Sequence, residues 1–172
     1  MSEAANKAAA LTGNVNSGLF LLDTNIISNL MRGGASLAAR NGRLAVEHGR
    51  MTAVCTSVVV QCELLFGLTK RPSVRLQAAY DLEMTKLQIL PLTPEVAEHY
   101  ARLRTQLEAI GQPIGANDAL IAAHALAVDA TLVSGDAEFL RVPGLRVENW
   151  LAAADLLIES GTRPMQTVAS SS

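Results

Sequence analysis

Leu19-Phe20-Leu21-Leu22-Asp23-Thr24-Asn25 is the stretch on which the fold turns. The four apolar residues read as a buried strand, an acid follows at once, and residues 26–31 begin a helix. The same pattern recurs outward. Residues 53–55 are a second strand, and Ser57 can cap a helix running to Leu68 before Lys70, Arg71 and Pro72 end it. Residues 73–87 form another helix and residues 88–91 a third strand. Pro94 then opens a helix whose Val96, Tyr100, Leu103, Leu107 and Ile110 make one apolar stripe. Gly111 stops it, and Asn117 caps a helix over residues 118–128. Residues 131–133 are a strand, 137–140 a short turn or helix, and 145–147 a last strand before Trp150. Strands separated by helices in this order imply an α/β fold, with a mostly parallel sheet covered by helices on both faces. Such sheets place their sites at the carboxyl ends of strands. Asp23 and Asp136 both follow strands, so both belong on that edge.

At 172 residues and 49% apolar composition, the chain suits one compact domain with a sizeable core. The span from residue 18 to 150 reads as that domain. Residues 1–17 and 151–172 read as extensions, disordered except for an added helix at 151–160. No apolar run approaches the roughly 20 residues of a bilayer span. The N-terminus lacks the apolar core of a secretory signal, and Cys55 and Cys62 are too few for a disulfide framework, so the expected compartment is the cytoplasm. A net charge of −2 argues against a protein that holds nucleic acid by a broad basic coat. Local charge remains available in Arg32, Arg40, Arg43, His48 and Arg50. These read either as phosphate contacts or as a solvated helix face.

Four acids stand out: Asp23, Glu63, Asp118 and Asp136. Three have ordinary readings, Asp23 as a helix cap, Asp118 as a complement to a helix dipole and Asp136 as a turn former. Glu63 is harder to dismiss. It lies in Val58-Val59-Val60-Gln61-Cys62-Glu63-Leu64-Leu65-Phe66-Gly67-Leu68, where an unpaired inward carboxylate carries a penalty of several kcal/mol. Gly67, four residues on, leaves room beside it. Around Asp118, Ala119, Ala122, Ala123 and Ala125 permit close packing. Four converging carboxylates raise one another's pKa values unless a positive charge compensates. A hard divalent cation, Mg²⁺ or Mn²⁺, meets that need and suits oxygen ligands. The chemistry such an ion supports is phosphodiester hydrolysis. Zinc fits less well, because His48, His99 and His124 are isolated from one another and the cysteines lie seven residues apart.

The motifs Leu-Leu-Asp23-Thr24-Asn25, Glu63-Leu64-Leu65-Phe66-Gly67, Asn117-Asp118-Ala119-Leu120-Ile121-Ala122-Ala123-His124-Ala125 and Ser134-Gly135-Asp136-Ala137-Glu138-Phe139 resemble those of PIN-domain ribonucleases of the VapC type. Members are the toxin halves of bacterial toxin–antitoxin pairs. The stretch from Arg141 to Trp150 is also similar to the end of many such toxins. The resemblance implies a three-layer α/β/α PIN fold. It matches Asp23, Glu63, Asp118 and Asp136 to the acids that bind Mg²⁺ or Mn²⁺, and Thr24 and Asn25 to polar supports of the first acid. Ser134-Gly135 departs from the Thr- or Asn-containing segment common in relatives. The resemblance further implies a structured, tRNA-like RNA substrate, a homodimer, and a VapB-type antitoxin that places a basic side chain among the acids. DNA would then be contacted only through the antitoxin.

A groove for that partner could be lined by Ile26, Ile27, Leu30 and the 36–49 helix; core packing is the competing reading of those three residues. Two rival functions stand beside the ribonuclease. One is a binding module that keeps the PIN architecture within an antitoxin–DNA complex and cleaves little. The other is a metal-dependent DNA nuclease with the same chemistry.

Overall fold

The computed structural model describes residues 18–33 and 36–152. The chain runs β1 (Leu19–Leu22), α1 (Thr24–Leu30), α2 (Leu37–Glu47), β2 (Ala53–Ser57), α3 (Val58–Lys70), α4 (Val74–Met84), β3 (Gln88–Leu90), α5 (Pro94–Ala109), α6 (Ala116–Ala127), β4 (Thr131–Val133), a 3₁₀ turn (Ala137–Arg141) and β5 (Val147–Glu148). All strand pairings are parallel, in the order β3-β2-β1-β4-β5. The chain moves outward from β1 through β2 to β3, then returns to place β4 on the other side of β1. That reversal leaves a crevice at the carboxyl ends of β1 and β4, where open α/β sheets bind ligands.

The strands hold because they are covered on both sides. Leu19, Phe20, Leu21 and Leu22 are all buried, as are Leu132 and Val133. Ser57 caps α3 as the sequence suggested, and Ser36 and Ser73 likewise each accept a backbone N–H in the first turn of α2 and α4. The last strand is held by Trp150, which packs 5.7 Å from Phe20 and donates its indole N–H to Glu148. Asn41 of α2 donates to the carbonyls of Trp150 and Ala152, tying this end of the domain to α2.

Several expectations need correction. Asn117 does not cap α6; Gly115 is the cap, because Ala116 and Asn117 are already helical and the Asn117 side chain is engaged elsewhere. The helix expected over 73–87 ends at Met84, with Thr85 closing it. The third strand stops at Leu90, since Pro91 has no N–H to offer the ladder. The last strand begins at Val147, after a turn through Gly144 at φ +76°. Ile26 and Ile27 are fully buried and belong to the core, so they line no groove. The extensions at 1–17 and beyond Ala152, including most of the helix expected at 151–160, lie outside the described residues. Among the described residues, no helix is long and apolar enough to cross a membrane.

Gly18 enters β1 at φ +57°, and a Cβ there would lie 2.7 Å from Thr52 Oγ1. Gly18→Ala should therefore lower unfolding stability by at least about 1 kcal/mol. Urea denaturation checks this as a lower midpoint at unchanged slope. Gly18 sits at the amino end of β1, at the opposite end of the strand from the crevice.

Candidate active site

Asp23 directly follows β1 and is only 5% exposed. Its Oδ1 accepts the Thr24 N–H at 2.7 Å, so it also caps α1. Its Oδ2 accepts the Ser134 hydroxyl at 2.6 Å and the Asn25 side-chain amide at 2.9 Å. Asn25 closes the network by accepting the Gly135 N–H, and Ser134 accepts the Asp136 N–H. The ends of β1 and β4 are thus laced together through one carboxylate. Burial raises the Asp23 pKa above the ordinary carboxylate value. The bonds from Ser134 and Thr24 oppose that rise, while the charges of Glu63 and Asp136 add to it. Ser134→Ala should raise the Asp23 pKa further, because a hydrogen bond that opposes the rise is lost. NMR titration of the Asp23 carboxyl carbon reads it.

Glu63 projects from the middle of α3 and is half-buried. Its Oε2 accepts the Thr24 hydroxyl at 2.5 Å, and its Oε1 accepts the Asn117 side-chain amide at 2.9 Å. The partner that its apolar surroundings demand is therefore a pair of neutral donors from α1 and α6. The helix itself is less enclosed than its composition suggests. Leu65 is 40% and Phe66 67% exposed, and a Cβ on Gly67 would meet nothing within 4 Å. Gly67 makes no room for a neighbour.

Asp118 stands in the first turn of α6, and Ala119, Ala122, Ala123 and Ala125 behind it are fully buried. Gly115 makes its placement possible, because a Cβ there would lie 2.7 Å from Asp118 Oδ2. Burial, then the charges of Asp23, Asp136, Glu63 and Glu138, push the Asp118 carboxyl up to about 6. Asp136 ends the segment after β4 and caps the 3₁₀ turn by accepting the Glu138 N–H at 2.8 Å. The structural readings of Asp23 and Asp136, as a helix cap and a turn former, are therefore correct. Glu138, a fifth acid within electrostatic reach of Asp118, escaped the sequence reading, as did Gly115 and the anchoring role of Ser134.

The donor set fits a hard cation. All four charges that act on Asp118 are acids and shift it in the same direction. Among the described residues, no three ligating side chains close into a preformed metal cage. Magnesium does not require one, since it is commonly held by one or two carboxylates and keeps several waters. Asp23 and Asp118 are the two acids whose carboxyls stand raised, and Glu63 and Asp136 lie within electrostatic reach of both.

A PIN-domain family model matches residues 20–145. Ribonuclease VapC2 of Rickettsia felis is 34% identical over 134 residues, which is 77% of this chain and 98% of the relative. The chain belongs to the PIN-domain family of VapC ribonucleases. Another VapC relative, the tRNA(fMet)-specific endonuclease of Shigella flexneri, is 33% identical and is covered over 97% of its length. Among solved structures, VapBC2 of Rickettsia felis bound to a promoter DNA fragment aligns with a TM-score of 0.69 over 77% of this chain and 98% of that one. VapBC-1 of nontypeable Haemophilus influenzae aligns at 0.66 with 27% identity over 78% and 99%. The VapC relatives thus span the described domain almost end to end. The three-layer PIN fold and parallel sheet expected from the sequence are the fold observed.

Proposed function

We propose that this VapC-family chain is the endoribonuclease toxin of a toxin–antitoxin pair, that it cuts structured, tRNA-like RNA, and that Asp23, Glu63, Asp118 and Asp136 form its Mg²⁺- or Mn²⁺-dependent centre. The observation that carries the reading is the acid cluster at the crevice between β1 and β4, centred on the raised carboxyl of Asp118. A bound divalent ion supplies stabilisation of charge on the transferred phosphoryl group and acidifies a bound water. The chain's own residues do the rest. Ser134, Asn25 and the Thr24 N–H fix the rotamer of Asp23, so its oxygens meet the ligand without reorganisation. Thr24 and Asn117 hold both oxygens of Glu63 in place, with lone pairs left to orient a water. Asp118, protonated in part near pH 6, would have to be ionised to serve as a ligand to the ion.

Substrate phosphates need positive charge, and Arg32, Arg40, Arg43 and His48 are exposed along and beside α2. Arg50 is exposed but already paired with Glu148. A VapB-type antitoxin is the expected partner, as VapBC complexes are among the solved relatives. A basic side chain from it would compensate the acids in place of metal. Exposed Leu65, Phe66, Val74 and Leu82 on α3 and α4 give a homodimer apolar surface to bury. Two free thiols, Cys55 and Cys62, suit a reducing cytoplasm.

The test is cleavage by purified chain freed of any antitoxin. It should cut tRNA with Mg²⁺ or Mn²⁺, and chelation should stop it. Folded protein that cuts no RNA under these conditions would leave only the binding-module reading, in which the chain serves inside an antitoxin–DNA complex. Preference for DNA in a mixed-substrate assay would instead identify a DNA nuclease.

A further inference from the structure

Helices α3 and α6 are joined by two polar rungs. At one, Asn117 donates to Glu63 at 2.9 Å. At the other, Ser57 Oγ meets His124 Nδ1 at 2.9 Å in a fully buried setting, the residues being 0% and 1% exposed. Ser57 Oγ already accepts the Val59 N–H at 3.1 Å as the cap of α3, so its hydroxyl proton is free to be donated to the ring nitrogen of a neutral His124. Burial holds His124 neutral, lowering its pKa to about 4. Neither side chain is accessible to substrate, so the pair performs no chemistry on it.

The rungs match in spacing. Ser57 and Glu63 are six residues apart, and Asn117 and His124 seven. At about 1.5 Å of rise per residue these are about 9 and 10 Å. Both rungs close together when the two helices run antiparallel in a single register. The buried apolar residues of the two helices, Val59, Val60 and Leu64 on α3 and Ala119, Ala122 and Ala123 on α6, attract their neighbours without direction. A buried hydrogen bond is directional, and a slip by one residue would leave both its members unpaired. Buried polar pairs fix helix register in this way in other folds.

We propose that the Ser57–His124 hydrogen bond is a register pin, which fixes the placement of Glu63 on α3 against Asn117 and Asp118 on α6. Both are positioning residues, acting through the acids without touching substrate. The inference rests on the metal-centre reading above only for its effect on metal binding.

The experiment compares native protein with His124→Leu, Ser57→Ala, the double variant and His124→Asn, using circular dichroism, Mn²⁺ titration without RNA, and the NMR signals of the Asn117 side-chain amide. Folded His124→Leu and Ser57→Ala should each bind Mn²⁺ about tenfold more weakly, and the double variant no more weakly than either, because one interaction is lost in all three. His124→Asn, which restores an acceptor, should recover most of the affinity. The Asn117 amide signals should move in the single variants even without metal. Native-like Mn²⁺ affinity in a folded single variant, or losses that multiply in the double, would overturn the pin. Should His124→Leu fail to fold, Ser57→Ala decides alone by the same two readouts. If native protein binds no Mn²⁺, the metal reading fails. The Asn117 signals then still decide the pin: movement supports it and constancy sinks it.

Discussion

Asp118→Asn should cut metal-dependent RNA cleavage by about 10³-fold while making the metal-free protein more stable at pH 7. The kinetic loss follows from removing a ligand that helps stabilise transition-state charge, a contribution of several kcal/mol at about 1.4 kcal/mol per tenfold. The gain in stability follows from the direction of the pKa shift. Burial and the neighbouring acids push the Asp118 carboxyl up to about 6 in the folded chain, against an ordinary value of 3.8. A raised acid contributes stability below pH 3.8 and loses it as the pH climbs through 6, so at pH 7 the ionised group opposes folding. Asparagine removes that opposition and keeps the shape. Mg²⁺ should raise the native melting temperature and leave the variant's almost unchanged. Mn²⁺ affinity of native protein should strengthen between pH 5 and 7, with proton release, and the variant should lose most of that dependence. Thermal scans and calorimetry in two buffers measure all three. A variant destabilised at pH 7, or one that cleaves at the native rate, refutes the assignment of Asp118. Asp23→Asn makes a useful companion, because asparagine caps a helix as well as aspartate and so preserves the start of α1.

These contrasts bear on what the sequence could disclose. The sheet was legible because its central strands are short apolar runs buried on both sides. Asp23 and Asp136 were placed on one edge because acids directly after such strands leave the sheet at its carboxyl end. Glu63 was legible as an acid in apolar company, although the inference that it faced inward overstated the enclosure. Leu65 and Phe66 are exposed, since a helix that is apolar all round does not say which face meets the core and which meets a partner. What could not be read were the supports that act across long sequence separations. Ser134, which departs from the segment common in relatives, anchors Asp23 from 111 residues away. Asn117, taken as a cap, serves Glu63 from 54 residues away. Both residue types have common local uses in turns and caps, and local reasoning assigned those uses. Glu138 escaped for a similar reason, as an acid beside Arg141 is explained by a surface ion pair.

His124 carries a second large effect, of opposite sign to that of Asp118. Buried and bonded through Nδ1 to Ser57, it has its pKa lowered from 6.5 to about 4 by loss of solvent. Between those values the unfolded chain binds a proton that the folded chain refuses. Stability is therefore full above pH 6.5 and falls as the pH drops towards 4, by on the order of 3 kcal/mol for this one group. Over the same interval Asp118 and Asp23, whose carboxyls are raised, gain stability on acidification. The native profile between pH 4 and 6.5 should consequently be flatter than either part. Only variants separate the parts. Asp118→Asn should expose the histidine term as a steeper loss of stability towards acid pH. His124→Leu should remove that loss and leave the carboxylate term, so that stability rises as the pH falls from 6 to 4.5. Chemical denaturation of the metal-free proteins at half-unit pH steps measures both slopes. Equal slopes in the native and His124→Leu chains would mean that the buried imidazole titrates at its ordinary value, and that burial does not hold it neutral.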